Sequence, residues 1–246
     1  MVKRLVPALQ YPMRLENTRY SSDDYYMTHD VDTSLKQGRV SKADITRGRI
    51  LNAAKQVFAR LPYHAASMRM IGKEGMFNHE LIRYHFPNKA RLFETVMHDI
   101  CEDFYRSNLS FLDGLEKLTP AVGFPLYLDR FLDHHYRNPE AMRIIILNMV
   151  ITDEPERIPG YRYITEMLAG TRKTFQGKMS VQIADEKMER FLSGINNQLL
   201  ILLGAGYCQA SILGLKHTGT RYREWVKTTM VEIFLPHLEE LIKAGK

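Results

Sequence analysis

Cysteine is scarce in this sequence, and the two cysteines that occur lie far apart. Cys101 and Cys208 stand alone among 246 residues, and each lies within an apolar pattern typical of a helix. We therefore expect no framework of structural disulfides, and the composition favours a reducing compartment.

Long hydrophobic runs are missing as well. The longest run, from Leu199 to Ala205, is far shorter than the roughly 20 residues that a membrane-spanning helix needs. The first residues are basic, but the apolar stretch after them ends too soon for a signal peptide. We therefore expect a soluble cytoplasmic protein without a membrane partner.

Motifs of catalysis and of nucleotide binding are also absent, since no Walker loop or dinucleotide fingerprint occurs. His134 and His135 are adjacent, so they would point to different sides of a helix. His98 and Glu102 would form only half of a metal site, with no third ligand indicated. We expect neither an enzyme nor a bound metal or cofactor.

Positive charge is concentrated in one fifth of the chain. Residues 41–91 contain ten Lys or Arg and three acidic residues, a net charge of +7. Residues 1–40 carry a net charge of +1, and residues 92–246 carry −2. Because an ordinary solvated surface mixes both signs, this distribution favours a polyanion as the partner of residues 41–91.

Residues 1–40 are polar and show little periodicity, so we interpret them as a mobile N-terminal arm. A plain disordered tail is the favoured reading of this arm, and contact with DNA is the alternative. Four basic residues of the arm could make that contact: Lys3, Arg4, Arg14 and Arg19.

From residue 46 onward the apolar residues follow helical spacing, without the alternation typical of strands. A first helix starts at Thr46 and ends before Pro62. Ser67 and Asn78 are good N-caps for two short helices, and a long helix runs from Lys89 to about Asn108. Further helices are predicted near residues 121–136, 139–152, 160–180, 185–215 and 220–244. The predicted fold class is all-α, with a small basic N-terminal bundle and a larger apolar helical body.

The two short helices have the features of a helix-turn-helix. Gly72 and Gly75 allow the helices to approach closely, and residues 75–77 form the turn. Leu81, Ile82 and Phe86 can anchor the second helix inward, which leaves its polar residues for a DNA major groove. Arginine binds guanine or phosphate, and asparagine can bind adenine.

Three segments resemble the TetR family of one-component transcriptional repressors. They are residues 46–58 (TRGRILNAAKQVF), 67–75 (SMRMIGKEG) and 78–93 (NHELIRYHFPNKARLF). The resemblance implies a three-helix DNA-binding domain over residues 41–88 and a helical effector-binding and dimerisation domain over residues 89–246. It implies that a homodimer binds a palindromic operator in double-stranded DNA.

The resemblance also assigns roles to individual residues. Ser67 and Arg69 would start the second helix near a phosphate. Tyr84 and His85 would lie at the backbone rim of the groove, and Lys89 would bind a phosphate. The remaining residues would face the groove: Asn78, His79, Glu80 and Arg83.

The chain departs from the family pattern in the turn and in the third helix. Met76 stands where the family usually has glycine, so we expect a mildly strained turn. Arg83 stands where a tyrosine is frequent. Glu80 would repel phosphates, so it should either accept a hydrogen bond from a cytosine amino group or pair with Arg83.

The resemblance implies that a small effector binds in the body and changes the spacing of the two DNA-binding domains through the helix that starts at Lys89. The effector is expected to be apolar or aromatic, and core packing is the alternative role for every pocket candidate. The pocket candidates are Phe124, Tyr127, Phe131, Met142, Met149, Met167, Phe175 and Met179.

Two helices near the C-terminus are expected to pair with their mates in a four-helix bundle. The candidate segments are residues 186–215 and 221–241, and the alternative is that part of this surface is the core of a single chain. The interface candidates are Gly204, Gly206, Ala210, Trp225, Met230, Phe234 and Leu238.

Two functions from different classes therefore remain open. The first is a ligand-responsive repressor that acts as a dimer, and the second is a helical protein or enzyme whose basic segment binds polyanions without regard to sequence. The first predicts strong preference for one palindrome, and the second predicts binding that depends on salt but not on sequence.

Overall fold

The computed structural model describes residues 41–150, 153–179 and 185–244, and these residues contain helices but no strand. The interpretation of residues 1–40 as an arm lies outside the described residues. The α-helices are α1 (Lys42–Phe58), α2 (Met68–Gly75), α3 (His79–His85), α4 (Lys89–Phe111), α5 (Pro120–Arg137), α6 (Glu140–Met149), α7 (Tyr161–Met179), α8 (Asp185–Leu199), α9 (Gly206–Ile212) and α10 (Thr220–Ala244). The all-α prediction is confirmed.

Side-chain caps fix the starts of the first four helices. Ser67 accepts a hydrogen bond from Met70 N, and Asn78 accepts one from Leu81 N, as their N-cap assignment predicts. Asn88 caps α4 in the same way. Ser41 caps α1, so this helix begins earlier than Thr46, where the apolar pattern starts.

One hydrophobic cluster joins the first four helices to the neighbouring body. Phe58 of α1, Ile82 of α3 and Phe93 of α4 are fully buried in it. The same cluster includes Ile144 of α6 and Ile164 of α7. The small helices at the N-terminal side therefore share their core with α6 and α7.

A second cluster forms the core of the body, where α10 packs against α5 and α8. The predicted helix over residues 185–215 is divided into three parts: α8, a π-helical turn (Leu200–Gly204) and α9. A Cβ on Gly204 would lie only 2.7 Å from the Met142 carbonyl oxygen of α6. This close approach accounts for glycine at the end of the turn, where the helix axis is interrupted.

In the part of the chain that the structure describes, no helix is long and apolar enough to cross a membrane.

Candidate nucleic-acid interface

The turn between α2 and α3 depends on two glycines. A Cβ on Gly75 would lie 2.2 Å from the Phe77 ring and 2.9 Å from Ala53 Cβ of α1. A Cβ on Gly72 would lie 2.9 Å from the Phe77 carbonyl oxygen. All three distances are below van der Waals contact, so a side chain at either position would push the helices apart.

Met76 adopts the left-handed conformation that ends α2, with φ 57° and ψ 41°. The prediction of a strained turn at this residue is confirmed, because left-handed backbone favours glycine over residues with a Cβ. The Met76 side chain is 89% exposed, so packing does not offset the strain.

Met76→Gly is expected to raise the free energy of unfolding by about 0.5–1 kcal/mol, since it removes the left-handed strain without removing a buried contact. Met70→Gly is the matched control, because Met70 is also exposed but lies within α2. That variant should lower the free energy by about 0.5–1 kcal/mol. Urea denaturation measures both; equal destabilisation by the two glycines would contradict the strain at Met76.

The third helix is anchored by Ile82 and Phe86, which are 0% and 2% exposed. Ile82 packs in the same cluster as Ile71 of α2. The expectation that Leu81 also points inward is wrong, because its side chain is 37% exposed. Leu81 precedes the buried Ile82 by one residue, so it lies about 100° away around the helix.

The polar residues of α3 are open to solvent. Asn78, His79, Glu80 and Arg83 are exposed, and Tyr84 is 81% exposed. The Asn78 side-chain oxygen accepts from Leu81 N at 2.7 Å, so this oxygen caps the helix. The exposed face therefore has the residue types of a groove-binding helix, and their base contacts remain predictions.

Glu80 and Arg83 do not form an ion pair with each other or with any other residue in the described ranges. Of the two roles expected for Glu80, the intramolecular pair is therefore not formed. The role of acceptor for a cytosine amino group remains the prediction.

The residues expected at the phosphates occupy different environments. Arg69 is exposed, Ser67 is half-buried at the N-cap of α2, and His85 is half-buried. The His85 ring lies edge-on to the Tyr84 ring, with the centroids 5.1 Å apart. The roles expected for Ser67, Arg69, Tyr84 and His85 at the phosphates and the groove rim remain predictions.

Lys89 has a structural role that the sequence did not reveal. Its Nζ donates to the carbonyl oxygens of Tyr63 at 2.7 Å and Ala66 at 3.0 Å, and it lies 4.3 Å from the centre of the Tyr63 ring. Burial lowers the pKa of Lys89. Its ammonium group thus holds the loop before α2 to the start of α4 with two of its three N–H donors, and the phosphate contact expected for Lys89 stays a prediction.

Two arginines of α1 extend the basic surface. Arg47 lies 5.1 Å from the centre of the Phe86 ring, and Arg49 lies 5.3 Å from that of Phe77. Both arginines are exposed. Arg47 and Arg49 contribute to the charge of +7 over residues 41–91 but were not among the predicted contact residues, and that charge was the signal that could have identified them.

Helix α6 connects the N-terminal helices to the π-helical turn. Arg143 Nε donates to the Ala59 carbonyl at the end of α1 at 2.8 Å, and its Nη1 donates to the Gly204 carbonyl at 3.3 Å. The Asn148 side chain accepts from Tyr63 N at 2.7 Å. These polar contacts were not predictable, because they join residues more than 60 positions apart in the chain.

The structure brings three of the eight pocket candidates together. Phe124, Tyr127 and Phe175 line one pocket in the body. Phe131 is 2% exposed in the second cluster, and Met142 packs against the same cluster. The other two described side chains, Met149 and Met167, pack against the first cluster. These four are corrected to core residues, and the side chain of Met179 lies outside the described part.

Most of the interface candidates lie inside the single chain. Trp225 and Phe234 are half-buried against the second cluster. Met230 and Leu238 face α5 and α8 because they occupy the apolar stripe of α10. The residues corrected from interface to core are Gly204, Gly206, Ala210, Met230 and Leu238.

The π-helical turn, α9 and α10 also expose apolar side chains that were not among the interface candidates. Ile201 of the π-helical turn is 56% exposed, and Ile212 of α9 is 74% exposed. Tyr207 of α9 and Ile233 of α10 are also more than half exposed. Solvated positions of this kind are where an interface of this region would have to form.

Comparison with known proteins identifies the N-terminal helices. Residues 50–96 match the family model of the bacterial regulatory proteins of the tetR family. Over these residues, about one fifth of its length, the chain is similar to the TetR family of regulators. The match covers the end of α1, the helix pair and the first part of α4, so it includes all of α2 and α3 but not Arg47 and Arg49.

Two curated repressors are similar to part of this chain. The HTH-type transcriptional repressor NicS of Pseudomonas putida is 29% identical over 111 residues, which are 44% of this chain and 50% of that protein. The HTH-type transcriptional repressor SCO4008 of Streptomyces coelicolor is 30% identical over 102 residues, which are 42% of this chain and 48% of that protein. The chain thus spans about half the length of these relatives.

Solved structures share the fold over a larger part of the chain. A tetR-family transcriptional regulator from Streptomyces coelicolor has a TM-score of 0.53 at 10% identity, covering 82% of this chain and 90% of that one. A transcriptional regulator from Rhodococcus sp. Rha1 has a TM-score of 0.55 at 15% identity, covering 77% and 96%. At these identities the likeness concerns the fold alone.

Proposed function

We propose that this protein is a transcriptional regulator that binds operator DNA through α2 and α3. The observation that carries the proposal is the exposed polar face of α3, held on α1 and α2 by the buried Ile82 and Phe86. A rigidly anchored helix with a solvated polar face can enter a major groove. The net charge of +7 over residues 41–91 would attract the phosphates on either side.

The proposal divides the chain at the start of α4. Residues 41–88 would bind DNA, and residues 89–246 would bind the effector and form the dimer. Such a regulator acts where its operator is, so we expect it in the cytoplasm. The NicS and SCO4008 proteins are named repressors, which favours repression over activation for this chain.

A homodimer would place one α3 in each half of a palindrome. In a standard duplex the half-sites lie about 34 Å apart, which is one helical turn. We propose that the exposed apolar side chains of the π-helical turn, α9 and α10 form the dimer contact, with Ile201 and Ile212 as its most exposed members on the first two elements.

Release from DNA would require an effector that prefers a conformer whose paired α3 helices no longer match the operator. Helix α4 is continuous from Lys89 to Phe111, so it connects the DNA-binding residues to the second cluster, which contains Phe111. A ligand that shifts the far end of α4 can therefore move its start.

Selection of bound fragments from random duplex DNA tests the proposal. We expect enrichment of one palindrome, with specific binding at least about 10³-fold tighter than binding to random duplex at the same salt concentration. Binding that falls with salt but enriches no sequence would contradict the regulator and favour a polyanion-binding protein.

Arg83→Ala tests the interface at one residue. Arg83 is exposed, so its removal should cost little stability but about 1–3 kcal/mol of operator affinity, and it should relax the preference at one base position. Arg157→Ala is the control, because Arg157 is an exposed arginine of the body. Fluorescence anisotropy with the selected palindrome and a random duplex measures the effect; an unchanged preference would refute the role of Arg83.

A further inference from the structure

A pocket in the body is bounded by α4, α5, α7, α8 and α10, and by the loop between α4 and α5. The space between these elements, including the part that is open to solvent, is about 600 Å³. The walls are mostly hydrocarbon, with Leu112, Phe124, Phe175 and Ile195 among the lining residues. Among the described residues, no charged side chain lines it.

Two polar side chains that line this pocket are deeply buried. Thr171 of α7 is 8% exposed, and its Oγ1 atom has no hydrogen-bonding partner within the described residues. Asn108 of α4 is 1% exposed. Tyr127 Oη donates to Asn108 Oδ1 at 3.1 Å, and the amide of Asn108 also carries N–H donors.

A buried hydroxyl without a partner points to a missing hydrogen bond. Buried polar side chains in folded proteins are nearly always hydrogen-bonded to protein or to water. Thr171 is one of the residues that line the pocket, so a ligand in the pocket could supply the partner that its buried hydroxyl lacks. Burial raises the pKa of Tyr127, so the neighbouring phenol is uncharged and adds no counter-charge for an ion.

We propose that this pocket binds a neutral, mainly apolar small molecule that carries one hydrogen-bonding group, a hydroxyl or a carbonyl. Thr171 Oγ1 and the Asn108 amide position that group, and the apolar walls take the rest of the molecule. A carboxylate or an ammonium group would be buried here without a counter-charge, which is strongly unfavourable. The ligand's role as effector rests on the proposed function, whereas its chemical class rests on the pocket alone.

Equilibrium dialysis of the purified full chain without DNA tests the chemistry of the ligand. Three matched probes share a phenyl ring and a four-carbon chain: 4-phenyl-1-butanol, 4-phenylbutanoate and butylbenzene. At neutral pH we expect the alcohol to bind at least about tenfold more tightly than the carboxylate, because only the carboxylate must lose its hydration without gaining an ion pair. The alcohol should also bind about three- to tenfold more tightly than butylbenzene, owing to one added hydrogen bond.

Thr171→Val then tests the positioning residue, since valine has nearly the shape of threonine without its hydroxyl. The variant should lose the advantage of the alcohol over butylbenzene while it binds butylbenzene as before. Thr174→Val is the matched control, because Thr174 lies on the same helix but does not line the pocket. An advantage that survives in Thr171→Val would overturn the assignment of this hydroxyl.

Gly123→Leu tests the location. Gly123 lines the pocket, and a Cβ at this position would lie 3.7 Å from its nearest neighbours, Leu115 O and Leu118 Cβ, so the longer side chain can fill the space. The variant should lose binding of the alcohol and of butylbenzene. Gly177→Leu is the control, since a Cβ at Gly177 meets nothing within 4 Å.

Three results would overturn the proposal: no binding of the alcohol, equal binding of the carboxylate, or undiminished binding in Gly123→Leu. The regulator is judged separately, by the DNA selection described above. An enriched palindrome without alcohol binding would leave the regulator standing and reject this ligand class. Alcohol binding without an enriched palindrome would support this ligand class and reject the regulator.

Discussion

Ile212→Asp is expected to convert the protein from a dimer to a monomer and to weaken operator binding by about 10²–10⁴-fold, the gain that linking two binding modules provides. Ile212 is 74% exposed at the end of α9, so aspartate there is fully solvated in the monomer. In the proposed dimer the carboxylate would be buried against the partner without a counter-charge, which is strongly unfavourable. A monomer can occupy only one half-site at a time.

Light scattering after size-exclusion chromatography measures the mass, and anisotropy with the full and half palindromes measures affinity. The variant should bind the full and half palindromes equally. Val122→Asp is the matched control: Val122 is 56% exposed in the first turn of α5, where a negative charge suits the helix N-terminus. A dimer that persists in Ile212→Asp at micromolar concentration would reject α9 as part of the interface.

The contrast between Ile212 and Met230 shows what the sequence can predict about a helical body. Helical spacing marks an apolar face, but it does not show whether the same chain or a second copy covers that face. Met230 is fully buried by the chain itself, whereas Ile212 is solvated. The helices were predictable from their caps and periodicity, and the partner of each apolar stripe was not.

Helices α2 and α3 were more predictable because their interactions are local. The N-caps Ser67 and Asn78 each accept a hydrogen bond from a backbone N–H three residues later. The strain at Met76 depends only on the conformation of the turn that ends α2. The structural role of Lys89 was not predictable, because its acceptors Tyr63 O and Ala66 O belong to a loop more than 20 residues away. Its charge indicated an external anion, and the fold adds two carbonyl acceptors.

The body pocket shows a related limit of sequence reasoning. Aromatic and methionine stripes pointed correctly to Phe124, Tyr127 and Phe175, but they gave no indication of Thr171 or Asn108. Polar residues within an apolar helical pattern are usually assigned to the solvated face. Only the folded arrangement shows that these two are buried at a cavity, which is why the sequence could not specify the ligand's polar group.

His135 of α5 is expected to make the protein lose stability in mild acid. Its side chain is 4% exposed, and its Nδ1 has no hydrogen-bonding partner within the described part of the chain. Burial, together with the neighbouring His217 and His134, lowers the pKa of His135 from 6.5 to about 4. Charging this ring inside the fold is therefore unfavourable, whereas the unfolded chain accepts the proton near pH 6.5.

The sign follows from proton linkage. Between pH 6.5 and 4 the unfolded state binds more protons at this site than the folded state, so the free energy of unfolding falls as the pH falls. The stability that the neutral His135 ring contributes is fully present above pH 6.5, and it is completely lost only below the folded pKa of about 4. Because one pH unit is worth about 1.4 kcal/mol, the loss from pH 7.5 to pH 4.5 should be about 2–3 kcal/mol.

His135→Phe separates this loss from the titration of the carboxylates. Phenylalanine keeps an aromatic ring in the site and removes the unpaired nitrogen, so the variant should be at least as stable as the parent at pH 7.5. At pH 4.5 it should retain about 2–3 kcal/mol more of its stability, since carboxylate titration affects both proteins equally. Urea denaturation, monitored by the fluorescence of Trp225, the single tryptophan, gives both values.

His64→Gln is the control, because it changes an exposed histidine, and this variant should behave as the parent does. An equal loss of stability in acid by His135→Phe and the parent would show that His135 does not carry the effect.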